Sequence, residues 1–171
     1  MSMEARLVDI TTLPVDAIVT AAREDLKPSP GVSKAVHEAA GPELAEACAR
    51  IGFCPTGSAV ITSAYSLPSR FVVHAVGPVW QGGGQGEAEL LAGAYRRALE
   101  LAHNNRCESV ALPAISAGRS GYPIAGAAAI AVTVTREALE AEAYLEEVIF
   151  ACYTDDELKA YQEALSTPAG G

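Results

Sequence analysis

The sequence is short of basic charge, aromatic rings and cysteine, and it has no long apolar run. Lys and Arg total 12 of 171 residues against 21 Asp and Glu, a formal charge of −9. So few cations cannot neutralise a run of phosphates, which argues against sequence-independent nucleic-acid binding. Cys48, Cys54, Cys107 and Cys152 form no CxxC pair and have no metal-ligand spacing, so no metal site is expected. Unpaired thiols that behave as small hydrophobes point to a reducing cytoplasm. No apolar stretch reaches the roughly 18–20 residues that a spanning helix needs. The start, Met1-Ser2-Met3-Glu4-Ala5-Arg6, lacks a basic segment followed by an apolar one, so no signal peptide is expected.

What is present is a core. Half of the residues are apolar and only 19% are charged, which excludes disorder. The length suits one domain and is too small for two ordinary ones. The expected unit runs from residue 1 to 165 as a monomer, followed by a loose tail at 166–171.

Strand-like and helix-like stretches alternate. Arg6–Ile10, Asp16–Ala21, Ser58–Ser63, Phe71–Val76, Ser109–Leu112 and Val148–Tyr153 read as strands. Ser33–Ala40 reads as a helix with Ser33 as N-cap, and Pro42 opens a second that ends at Gly52. Glu87–Asn105 is a long amphipathic helix, and Pro123 opens an Ala-rich one running to about Glu142. Thr154 with Glu157 has the capping-box form and starts the last helix.

Strands alternating with helices imply a sheet covered on both faces, with ligands bound beyond the carboxyl ends of the strands. Two loops occupy that position, Arg23–Val32 and Pro113–Gly121. Each leads into a helix N-terminus, where unpaired N–H groups and the helix dipole favour an anion. A phosphate-bearing ligand follows from this, although plain turns account for the same pattern.

At these loops the chain resembles the macro domain family. The matching stretches are Val8-Asp9-Ile10, Asp16–Val19 with Ala21-Ala22, Gly31-Val32 with Ala35-Val36-His37, and Ala39–Leu44. Cys54–Gly57, His74–Trp80, Pro113–Gly118, Gly121-Tyr122-Pro123 and Val148–Phe150 continue the match in order. The resemblance implies a three-layer α/β/α sandwich around a mixed six-stranded sheet, binding ADP-ribose without a cofactor. Carried over by position, Asp9 accepts from the adenine amino group beside the Ile10 backbone, and Tyr153 packs on adenine. Gly31-Val32 and the loop Ser116-Ala117-Gly118-Arg119-Ser120-Gly121 wrap the diphosphate, and Ala21 is also a ligand-binding residue. From the residues alone, a strand-end cap is the better reading of Asp9, and a half-buried core aromatic is an equal reading of Tyr153.

The chain departs from the family where hydrolysis takes place. Hydrolytic members carry Asn-Ala-Ala-Asn where this chain has Thr20-Ala21-Ala22-Arg23, and an Asp where it has Ser33. An aromatic facing the distal ribose is replaced by Ser120. A neutral serine is a poor general base. His37 stays in register but has no acidic neighbour in sequence and reads as an ordinary helix residue, a weak candidate for a base. The prolines of Pro28-Ser29-Pro30 remove backbone donors, while Arg23 and Arg119 bring cations able to pair bidentately with phosphate. Arg23 either adds to phosphate binding or fills the distal ribose site. The expected function is a reader of ADP-ribose, free or attached to a protein or metabolite. The alternatives are a hydrolase of ADP-ribose derivatives and a degenerate module for another phosphorylated ligand.

Overall fold

The computed structural model describes residues 2–168. Six strands form one sheet in the order β1-β6-β5-β2-β4-β3. They are β1 (Ser2–Leu7), β2 (Ala17–Ala21), β3 (Ser58–Ser63), β4 (Phe71–Val76), β5 (Ser109–Leu112) and β6 (Glu147–Cys152). All neighbours are parallel except β3, which runs antiparallel to β4 with Ser58 opposite Val76. The sheet is therefore mixed, as the resemblance implied.

The middle strands are buried on both faces, so their sequences are continuous apolar runs. Alternate residues feed opposite layers. Ala17 and Val19 of β2 join Val110, Leu112, Val148 and Phe150 under α3 (Glu87–Asn104), α4 (Ile124–Ala141) and α5 (Asp155–Ser166). Ile18, Ala111, Ile149 and Ala151 face the other way, onto α1 (Val32–Ala40) and α2 (Pro42–Ile51) through Val36, Ala40 and Leu44. The result is a three-layer sandwich.

Three boundaries differ from expectation. The first strand is Ser2–Leu7 rather than Arg6–Ile10, because Asp9 accepts from Thr11 N at 3.0 Å and turns the chain out of the sheet into a short 3₁₀ turn, Ile10–Thr12. Ser33 is not the N-cap of α1; Gly31 is, at φ 98°. Ser33 lies inside the first turn of α1, and its Oγ accepts from Ser29 N at 3.2 Å. The last helix includes Ser166, the first residue of the expected tail, and Thr167 N donates to Ala164 O; residues 169–171 lie outside the described range. Thr154 does cap α5, accepting from Glu157 N.

Candidate functional site

The loops at the carboxyl ends of β2, β5 and β6, with the start of α1, enclose a cleft of about 670 Å³. Its sides follow from the sheet order. Tyr153 and Glu157 come after β6, Ala114–Ser120 after β5, and Ala21–Arg23 after β2. Neighbouring strands are about 4.8 Å apart, so the cleft crosses the strand ends from β6 to β2.

At the β6 end, Tyr153 is half-exposed and joins two elements. Its hydroxyl accepts from Ile10 N at 3.2 Å and donates to Asp9 Oδ1 at 3.3 Å. Asp9 Oδ1 also takes Thr11 N and, at 2.8 Å, the Thr11 hydroxyl. The Thr11 hydroxyl and then the Thr11 N–H hold the Asp9 carboxyl below its ordinary range. Among the described residues, Oδ2 receives no hydrogen bond. Asp9 is thus a cap, and it keeps one acceptor oxygen available. Glu157 Oε1 accepts from Tyr153 N at 2.8 Å and completes the α5 cap.

The middle of the cleft is the loop after β5, fixed from three sides. Tyr95 of α3 is fully buried. Its hydroxyl accepts from Ile115 N at 3.0 Å, donates to Pro113 O at 2.9 Å and lies 3.2 Å from the Tyr161 hydroxyl. Burial pushes the Tyr95 phenol up to about 12, so it stays protonated. Ser116 sits at φ 65°, a conformation L-residues seldom adopt. Its hydroxyl donates to Pro78 O at 2.7 Å. Gly77 lets the chain after β4 pass this close, because a Cβ there would collide with the Ser116 hydroxyl and lie 2.5 Å from Ile115 Cγ2. Trp80 N donates to Ser120 O, and the Trp80 ring packs on Tyr122 at 4.6 Å.

The loop between Gln81 and Gly86, next to this wall, is gathered by a single carboxylate. Glu87 accepts from Gln81 N, Gly83 N and Gln85 N. The Gln81 N–H, reinforced by the others, lowers the Glu87 carboxyl to about 2.

At the β2 end, Gly31, Val32 and Ala35 bring the N-terminus of α1 to the cleft, with no side chain capping it. The preceding loop offers little more. Pro28 and Pro30 have no N–H, and that of Ser29 is taken by Ser33. Arg23 reaches the cleft with its side chain 62% exposed and pairs with Asp25 at 3.1 Å. Arg119 is exposed and, among the described residues, has no ion-pair partner.

Of the residues singled out from sequence, Ala21, Arg23, Gly31, Val32, Ser116, Gly118, Arg119, Ser120 and Tyr153 line the cleft. Asp9 and Ile10 adjoin it through Tyr153; Ala117 and Gly121 shape the loop behind it. Ser33 is buried and faces Ser29. His37 is absent from the lining and borders a separate shallow pocket with Lys34 and Glu38. Its Nδ1 has no hydrogen bond among the described residues, and burial lowers its pKa. Sequence reading missed Ala22, Ser29, Pro30, Ala35, Gly77, Ala114, Ile115 and Glu157 as lining residues. For Gly77 a signal existed, a Gly-Pro break at the carboxyl end of a strand. Among the described residues, no group of three or more His, Cys, Asp or Glu side chains could hold a metal ion.

Known proteins share this arrangement. The Macro domain family model matches residues 19–131. A macro domain-containing protein of Chlorobaculum tepidum is 54% identical over 158 residues, 92% of each chain. The chain belongs to the macro domain family. An Escherichia coli relative named O-acetyl-ADP-ribose deacetylase is 49% identical over 162 residues, again 92% of each chain. Among solved structures, the Oceanobacillus iheyensis macrodomain with ADP superimposes with a TM-score of 0.90 at 39% identity, covering 95% of this chain and 89% of that one. The Trypanosoma brucei macrodomain in complex with ADP-ribose also gives 0.90, at 36% identity, covering 96% and 69%. This macro domain therefore has the fold of proteins solved with ADP and ADP-ribose in place.

Proposed function

We propose that this macro domain binds ADP-ribose in the cleft, free or on a modified protein or metabolite, and acts as a reader with little or no hydrolase activity. Adenine lies at the β6 end against Tyr153, with its amino group donating to Asp9 Oδ2. The diphosphate lies over Ser116–Gly121 and the N-terminus of α1. The distal ribose lies towards Arg23. Four unpaired, buried thiols support a cytoplasmic setting.

One observation carries the non-catalytic part. Glu157 is the single carboxylate among the cleft-lining residues, and it caps α5 at the adenine end. A general base must reach the proton it takes, directly or through one water. Ser33, at the position where hydrolytic members carry an Asp, is buried with its hydroxyl accepting from Ser29 N. The β2 end offers Arg23 and Ser120, neither of which is basic enough to activate water.

The second reading, hydrolysis of ADP-ribose derivatives, is favoured by the name of the E. coli relative. The two are separated by titration calorimetry with ADP-ribose beside an assay for ADP-ribose released from a modified protein, with that relative as control. Binding with turnover at background level is expected. Turnover at the control's level overturns the reader assignment, and absence of heat at millimolar ligand overturns binding.

A further inference from the structure

We propose that the β2 end of the cleft is an anion subsite formed by Arg23 and Arg119, so that the domain holds adenosine triphosphate more tightly than adenosine diphosphate. The proposal rests on the placement of adenine and diphosphate described above.

The two arginines come from neighbouring strands. Arg23 is two residues past β2, and Arg119 lies in the loop after β5. These strands pair in parallel, with Ala17 opposite Val110 and Ile18 opposite Ala111. Their loops therefore leave the sheet side by side, and both side chains line the one cleft. With adenine at β6 and the diphosphate at β5, the next group along the sheet lies at β2, beside Arg23 and next to the loop that carries Arg119.

The backbone there withholds donors. Pro28 and Pro30 have none, and Ser29 N is bound to Ser33. An anion must draw on side chains and on the start of α1. The arginine side is well anchored. Leu26 N donates to Arg23 O at 2.9 Å, and Leu26, at φ 60°, is buried against Cys48, Cys54 and Val76. Asp25 now pairs with Arg23, but exposed ion pairs are weak, and a phosphate that engages the planar fork bidentately displaces it. The lining holds two guanidinium groups and one carboxylate, which is bound in the α5 cap, inside a molecule of formal charge −9. A neutral sugar makes poor use of such a pair, whereas a terminal phosphate suits it.

The test is titration calorimetry of ADP, ATP and ADP-ribose in metal-free buffer, for the natural chain and for the double variant R23A/R119A. Both arginines are exposed, and thermal melting without ligand checks that the variant folds. ATP is expected to bind about tenfold more tightly than ADP, and the variant to lose most of that difference. The ATP advantage is also expected to shrink as salt rises. ADP-ribose and ADP binding with no ATP advantage, or an advantage kept in the variant, overturns the subsite and leaves the ADP-ribose reading standing. ATP and ADP binding without ADP-ribose supports the subsite and overturns that reading. No binding of any of the three overturns both.

Discussion

Asp9 shows how one carboxylate serves fold and site together. Its Oδ1 holds the 3₁₀ turn through Thr11 and meets the Tyr153 hydroxyl, leaving Oδ2 for the proposed adenine contact. Asp9→Ala removes the cap, worth about 1 kcal/mol, and the acceptor together. Asp9→Asn keeps a cap but can turn an amide donor towards the adenine amino group. Both variants are expected to weaken ADP-ribose at least about tenfold by calorimetry, a loss of ~1.4 kcal/mol, while only Asp9→Ala lowers the melting temperature appreciably. Equal affinity in Asp9→Asn would remove Asp9 from adenine recognition. The sequence offered two roles for Asp9, cap or ligand contact, as if they were exclusive. Splitting them between two oxygens of one carboxylate requires coordinates.

Among the elements, the loop after β5 depends most on distant residues. Tyr95 is eighteen residues before Pro113, yet its buried hydroxyl serves both Pro113 O and Ile115 N. In Tyr95→Phe the buried Tyr161 hydroxyl loses its partner and the loop loses the hydroxyl that bridges Pro113 O and Ile115 N, which keep only their own hydrogen bond at 3.0 Å, at about 1–3 kcal/mol. The melting temperature is expected to fall by roughly 2–4 °C per kcal/mol for a domain of this size. ADP-ribose affinity is expected to fall in the same variant while binding of adenosine alone changes little, because the loop faces the position proposed for the diphosphate. Equal losses for both ligands would mean that Tyr95 supports the fold only. Buried strands and helices were legible because their apolar runs and breaks are local: β3, β4 and β5 lie where the sequence placed them. The first strand was misplaced because one Asp-to-backbone hydrogen bond outweighs a short β-rich pattern. The role of Tyr95 was not legible, since it acts on a loop brought near only by the fold, whereas Glu87 gathers N–H groups only two to six residues before it.

For the whole molecule, acid sensitivity has an identifiable source in the interior. His74 is 1% exposed on β4, with its Nε2 3.0 Å from the Thr62 hydroxyl. Burial, and then the nearby His37, lowers its pKa from 6.5 to about 3. The unfolded chain takes up a proton below 6.5, whereas the folded chain does not until about pH 3. Stability therefore declines as pH falls through this window, by at most about 1.4 kcal/mol per unit from this group. Glu87 adds a lower limb. Its folded value of about 2 against 4.5 means that its stabilisation is full above 4.5 and lost as pH falls towards 2. His74→Gln is expected to reduce the gap between denaturant midpoints at pH 7 and pH 5. An unchanged gap would place the acid sensitivity elsewhere.

At this scale too, the charge of −9 gains a meaning that composition alone did not give. The proposed ligand is an anion, so its attraction must be local, from the α1 N-terminus, the β5 loop and two of twelve basic side chains. A crystal structure of the domain soaked with ADP-ribose tests this account most directly. It is expected to show intact ligand with adenine against Tyr153 and Asp9, the diphosphate over Ser116–Gly121, and the distal ribose at the Arg23 end. An empty cleft at millimolar ligand, or adenine seated at the β2 end, would contradict it.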